Sequence, residues 1–137
     1  MTVAVGERLA TWLAALRDGD GRTVVDGLAD GVTFITPLDE DDAIIPYVGT
    51  HVGKADVLHA FELRNEIVET VALSVTDFGV SGDRGWALMW TRERVKSTGR
   101  EFEIEAAHHF RFDADGRIVW WRSYFDPNPE VRALRTA

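Results

Sequence analysis

A chain of 137 residues without cysteine and with a net charge of −8 fits one domain, residues 1–137, and excludes disulfide frameworks, thiolate nucleophiles and zinc–cysteine sites. The acidic balance opposes phosphate backbones and anionic lipid, so nucleic acid and membrane are not expected partners. No apolar run nears the roughly 20 residues of a membrane span, and Met1 to Leu16 lacks the layout of a secretory signal, so a cytoplasmic protein is expected. In chain order, Val5, Leu9, Trp12, Leu13 and Leu16 recur at three- and four-residue steps, which predicts a first helix from Val3 to Arg17, stopped by Gly19-Asp20-Gly21. A shorter helix is predicted from Thr23, as N-cap, to Ala29, with Gly31 ending it. Val32 to Thr36 reads as a strand that Pro37 stops.

Leu38 to Thr50 is the longest irregular piece, acidic at Asp39-Glu40-Asp41-Asp42 and then apolar. A loop of this length serves either as a lid or binding segment or as a solvated surface loop. The acidic run carries no histidine at ligand spacing, so no metal is expected. Gly53 opens a third helix, Lys54 to about Glu66, with Val57, Leu58, Phe61 and Ile67 as its apolar stripe. Strands are then predicted over Thr70 to Phe78, Trp86 to Lys96, Glu101 to Phe112 and Arg117 to Asp126, joined by Gly- and Asp-rich turns. Pro127 and Pro129 separate a tail from the last strand. Helices ahead of an antiparallel meander make an α+β domain with the helices on one face of a curved sheet.

The strand from Glu101 places Glu101, Glu103 and Glu105 on one face and Phe102, Ile104, Ala106, His108 and Phe110 on the other. An imidazole on an apolar face is either a general acid or base tuned by burial or a core histidine bonded to a neighbour. A one-residue bulge would exchange His108 with His109. Trp86, Trp90 and Trp121, with Phe34, Phe61 and Phe125, are candidate substrate contacts or, equally, core and interface residues. Tyr47 and Ser123 offer hydroxyls to a carbonyl or oxyanion. Arg94 offers a carboxylate grip, or with Arg92 pairs with the glutamates of the next strand.

The segment Asp115-Gly116-Arg117-Ile118-Val119-Trp120-Trp121-Arg122-Ser123-Tyr124-Phe125-Asp126 resembles the ending of the limonene-epoxide hydrolases. Together with the element order and Gly49 to Leu58, it resembles the nuclear-transport-factor-2-like superfamily and its SnoaL-like polyketide cyclases. The resemblance implies a cone of helices and mixed or antiparallel sheet enclosing an apolar pocket, with no cofactor, and dimers that pair through the sheet. It also implies a histidine on the strand that holds His108. The hydrolases' catalytic aspartates fall on Ser123 and Lys96, leaving only Arg94 of an Asp-Arg-Asp set, so their usual mechanism is not available here.

Three functions follow. The first is a cofactor-free cyclase, isomerase or dehydratase acting on a hydrophobic, polycyclic or polyketide-type substrate in bacterial secondary metabolism, with catalytic residues His108, Tyr47, Arg94 and Ser123. The thirteen arginines against two lysines point to a GC-rich bacterial genome. The second is a non-catalytic ligand-binding or dimeric interaction module. The third is epoxide opening by a substituted acid set using Glu93 or Asp77.

Overall fold

The computed structural model describes residues 4–38 and 45–135; the acidic run at 39–42 lies outside them. Helix α1 (Val5–Asp18) ends at Gly19, whose left-handed φ of 75° suits a residue without a Cβ. Helix α2 (Gly21–Asp26) is capped by Asp20 rather than Thr23: its carboxylate accepts from the Thr23 backbone N–H at 3.2 Å and hydroxyl at 2.6 Å. Strand β1 (Leu28–Ile35) therefore begins four positions earlier than its alternation suggests, because Leu28 pairs with Ile118 rather than extending the helix. A short strand β2 (Thr50–Val52), read from sequence as loop, pairs antiparallel with the end of β1.

Helix α3 (Lys54–Ile67) runs directly into β3 (Val68–Ser81), followed by β4 (Arg84–Val95), β5 (Glu101–Phe112) and β6 (Ile118–Phe125). The β5–β6 turn is held by the Asp113 carboxylate, which accepts from the backbone N–H groups of Asp115 and Arg117, both at 3.0 Å, while Gly116 takes φ 78°. The sheet order is β2-β1-β6-β5-β4-β3, with β1 and β6 parallel and every other pair antiparallel. The expected mixed sheet with helices on one face is thus present.

The proposed tail carries a further helix, α4 (Asn128–Leu134). Pro127 is its N-cap and Pro129 lies in its first turn, where a missing N–H costs nothing, so these prolines start a helix as well as ending a strand. Ala133 buries α4 against Val68, Val95 and Phe102. At the other end of the sheet an aromatic stack forms the core. Trp12 of α1 meets Phe110 and Trp121 edge-on, with centroids 5.4 and 5.0 Å apart, and Phe34 stacks on Trp121 at 3.9 Å. The Trp12 indole N–H is satisfied by the Val24 carbonyl at 2.9 Å. No helix among the described residues is long and apolar enough to cross a membrane.

Candidate functional site

Between the inner face of the sheet and the helices lies a cavity of about 830 Å³. Phe34, Phe61, Met89, Ile104, Trp121 and Phe125 give it apolar walls, and two groups of polar side chains reach into it. The first is centred on His108. Pairing of β5 with β4 runs without a shift from Arg84↔Arg111 to Arg94↔Glu101, so strict alternation holds there. His108 therefore shares the inner face with its partners Ala87 and Ser123, while His109 faces outward beside Trp86 and Arg122.

Nδ1 of His108 receives the Trp121 indole N–H at 3.0 Å and lies 2.8 Å from the Ser123 hydroxyl oxygen. An indole nitrogen only donates, so Nδ1 must be the unprotonated nitrogen, and the hydroxyl donates to it as well. A neutral ring then carries its hydrogen on Nε2. No described residue bonds Nε2, and no described side-chain N or O is both sealed and unpaired, so this N–H opens to the cavity that His108 lines. Burial pushes the imidazole pKa down to about 4, which keeps the ring neutral near pH 7. What His108 presents to a ligand is one N–H donor, because its only lone pair is engaged.

The second group lies where α3, β4 and α4 meet. Arg64 Nη2 sits 2.5 Å from Glu93 Oε1, and the Thr70 hydroxyl donates to the other Glu93 oxygen at 3.0 Å. The Tyr47 hydroxyl donates to Glu130. Burial raises the Glu130 pKa, opposed by the Tyr47 hydrogen bond and the Arg64 charge, with Glu93 pushing it up again. Tyr47 is itself pushed up, first by burial and then by the Glu130 charge, so it stays a phenol and a donor.

Of the residues expected at the site, Phe34, Tyr47, Phe61, His108, Trp121, Ser123 and Phe125 line this cavity. Arg94 does not: it lies on the opposite face, where its guanidinium pairs with Glu69 at 3.0 Å and Glu101 at 3.6 Å. Trp86 is exposed on the same outer face, and Trp90 lies there with the Arg92 guanidinium 5.6 Å from its ring centroid. Asp77, opposite Leu88, is exposed too. The physical reason is shared: even-numbered positions of β4 point away from the helices. The same alternation would have brought Glu93 inside, since it follows from placing Arg92 and Arg94 outside. Arg64 and Glu130 carried no such signal. Among the described residues no three His, Cys, Asp or Glu side chains are grouped so as to hold a metal.

A profile of the SnoaL-like domain matches residues 9–121. The chain belongs to the SnoaL-like family. This SnoaL-like chain also matches solved structures over nearly its whole length. An NTF2-like protein from Burkholderia pseudomallei K96243 is 25% identical with a TM-score of 0.80, covering 95% of this chain and 96% of that one. A candidate SnoaL-like polyketide cyclase from Mesorhizobium loti is 20% identical, TM-score 0.74, covering 90% and 99%. A candidate isomerase from Bacillus subtilis is 19% identical, TM-score 0.75, covering 93% and 89%. The last two likenesses are of fold. No curated relative matches the sequence significantly.

Proposed function

We propose that this SnoaL-like protein is a cytoplasmic, cofactor-free enzyme of bacterial secondary metabolism. It moves protons on a hydrophobic, carbonyl-bearing small molecule of polycyclic or polyketide type, as a cyclase, isomerase or dehydratase. The observation that carries this reading is the neutral His108, held by Trp121 and Ser123 so that Nε2–H points into a largely apolar cavity. A donor fixed beside apolar walls stabilises charge that develops on a carbonyl oxygen as an enolate or alkoxide forms. His108 thus supplies oxyanion stabilisation, and Ser123 acts through it as a positioning residue. The names of the Mesorhizobium and Bacillus neighbours, cyclase and isomerase, describe reactions of this kind.

A second reading, a ligand-binding module without turnover, draws support from Ser123 standing where the hydrolases keep a carboxylate. For epoxide opening, Glu93 alone of the substituted set reaches the cavity. The test is incubation of EDTA-dialysed protein with bicyclic and tricyclic aryl ketones in D2O, followed by calorimetry for binding and mass spectrometry for deuterium uptake at carbon or loss of water. Saturable binding with conversion is expected. Binding of panel members with no conversion of any would favour the second reading.

We also propose that the protein works as a homodimer through the outer face of its sheet, where Trp86, Leu88 and Tyr124 are each more than two fifths exposed. Leu88→Glu puts a charge in the middle of that face. Light scattering is expected to show a dimer for the parent chain and a monomer for the variant; a parent chain that is monomeric at high micromolar concentration would rule the dimer out.

A further inference from the structure

His108 can steady an oxyanion but has no free lone pair with which to accept a proton, so another group must do so. Only two carboxyls among the described residues are buried against the cavity, Glu93 and Glu130, at 4% and 6% exposure. Glu93 is committed: one oxygen faces the Arg64 guanidinium at 2.5 Å and the other accepts from Thr70 at 3.0 Å. Both Glu93 oxygens are thus already engaged by a donor. Glu130 has no cation within ion-pair distance among the described residues, and the hydrogen bond it receives there comes from the neutral Tyr47 hydroxyl. Its backbone is fixed, because Pro127 caps α4, Pro129 lies in its first turn and Ala133 seats the helix in the core.

We infer that Glu130, oriented by the Tyr47 hydroxyl, is the carboxyl that exchanges a proton with substrate carbon in the cavity it shares with His108. This rests on the proton-transfer reading above and names its substrate class: a neutral ketone with a hydrogen on the adjacent carbon. The Glu130 carboxylate removes that hydrogen as a proton. The C–H electron pair passes into the carbonyl, and the enolate oxygen accepts the Nε2–H of His108. The glutamic acid so formed returns its proton to the γ-carbon where the ketone is β,γ-unsaturated, completing an isomerisation, or to a β-hydroxyl that departs as water while the enolate electron pair forms the Cα=Cβ bond, completing a dehydration. No oxidant or co-reactant is consumed. Anionic substrates are disfavoured, since Arg64 is already paired and an added carboxylate would meet Glu130 and Glu93. Burial, which raises Glu130, makes its carboxylate a stronger base than a solvated one.

The test uses α-tetralone, a neutral bicyclic aryl ketone, in D2O, with exchange of its α-hydrogens followed by NMR and binding by calorimetry. The parent protein is expected to accelerate exchange over buffer. Glu130→Gln should lose about 100-fold or more of that acceleration while binding the ketone with little change, and Glu130→Asp should recover part of it. The groups that face Glu130 are Tyr47, Arg64 and Glu93. The Tyr47 hydrogen bond favours the carboxylate, so Tyr47→Phe should move the acid limb of the exchange profile to higher pH, a displacement that a merely structural role would not produce.

If Glu130→Gln exchanges as fast as the parent, or if that variant does not fold and Tyr47→Phe leaves the limb unmoved, the assignment to Glu130 is overturned and the proton-transfer reading stands. If the parent protein fails to exchange α-tetralone at all, the proton-transfer reading itself falls and takes this assignment with it.

Discussion

His108→Asn is expected to lower the rate of proton exchange on a bound ketone by about 100- to 1,000-fold, the usual cost of one lost oxyanion donor, with little change in stability. The asymmetry follows from the two ring nitrogens. The Asn Oδ1 can stand near the place of Nδ1 and accept from Trp121 and Ser123, which now donate at 3.0 and 2.8 Å; nothing in Asn reaches the place of Nε2. His108→Gln makes the reverse exchange. Its amide can reach toward the cavity as a donor, but it leaves the Trp121 N–H without its acceptor, at a cost of about 1–3 kcal/mol for a buried unpaired group. Parallel exchange assays and urea unfolding on the two variants separate the roles. Equal loss of rate in both, at equal stability, would show that Nε2–H is not what the substrate uses.

The same residue sets a pH dependence. Its pKa lies near 4 when folded and near 6.5 when unfolded. Between these values the unfolded chain binds the extra proton, so stability falls as pH drops through that window, by up to about 3 kcal/mol in total. Both variants should flatten this slope.

How much of this was legible in the sequence depends on which physical signal each residue rests on. Period-two alternation along β5 put His108 on the apolar face with Phe102, Ile104, Ala106 and Phe110, whereas its grouping with Ser123, Trp121 and Phe125 of β6 rests on the strand pairing, and the joint face lines the cavity. The uncertainty over His108 and His109 was one of register, which only the unbroken β4–β5 pairing resolves. On β4 resemblance to a hydrolase motif drew attention to Arg94, which shares a face with Arg92; both are outside, and Glu93 between them is inside. Glu130 was hidden for a different reason. Two prolines within three residues read as a chain break, whereas a helix tolerates both in its first turn, and the turn so formed carries a glutamate back under the sheet. Pairing of Leu28 with Ile118 likewise overrode a helix-like run from Val24 to Leu28.

Arg64→Met is expected to destabilise the fold by about 3 kcal/mol, the lower part of the range for removing one partner of a buried ion pair, because the Arg64 side chain is 27% exposed while that of Glu93 is only 5% exposed. The cost arises from Glu93, which would remain buried with Thr70 alone to satisfy it. Glu93→Met in the Arg64→Met background removes the orphaned charge and should restore most of the stability, since an apolar pair of similar volume often replaces a buried salt bridge without loss. Urea unfolding of the four chains in this cycle gives the coupling directly. An Arg64→Met penalty of the same size whether or not Glu93 is present would locate the effect in packing of the arginine stem instead. The cycle also bears on the proton-transfer step: the Arg64 charge lowers the Glu130 pKa and the Glu93 charge raises it by less. Arg64→Met should therefore move the acid limb of exchange to higher pH, and the double variant should bring part of that displacement back, so that stability and the pH profile recover together when the second charge is removed.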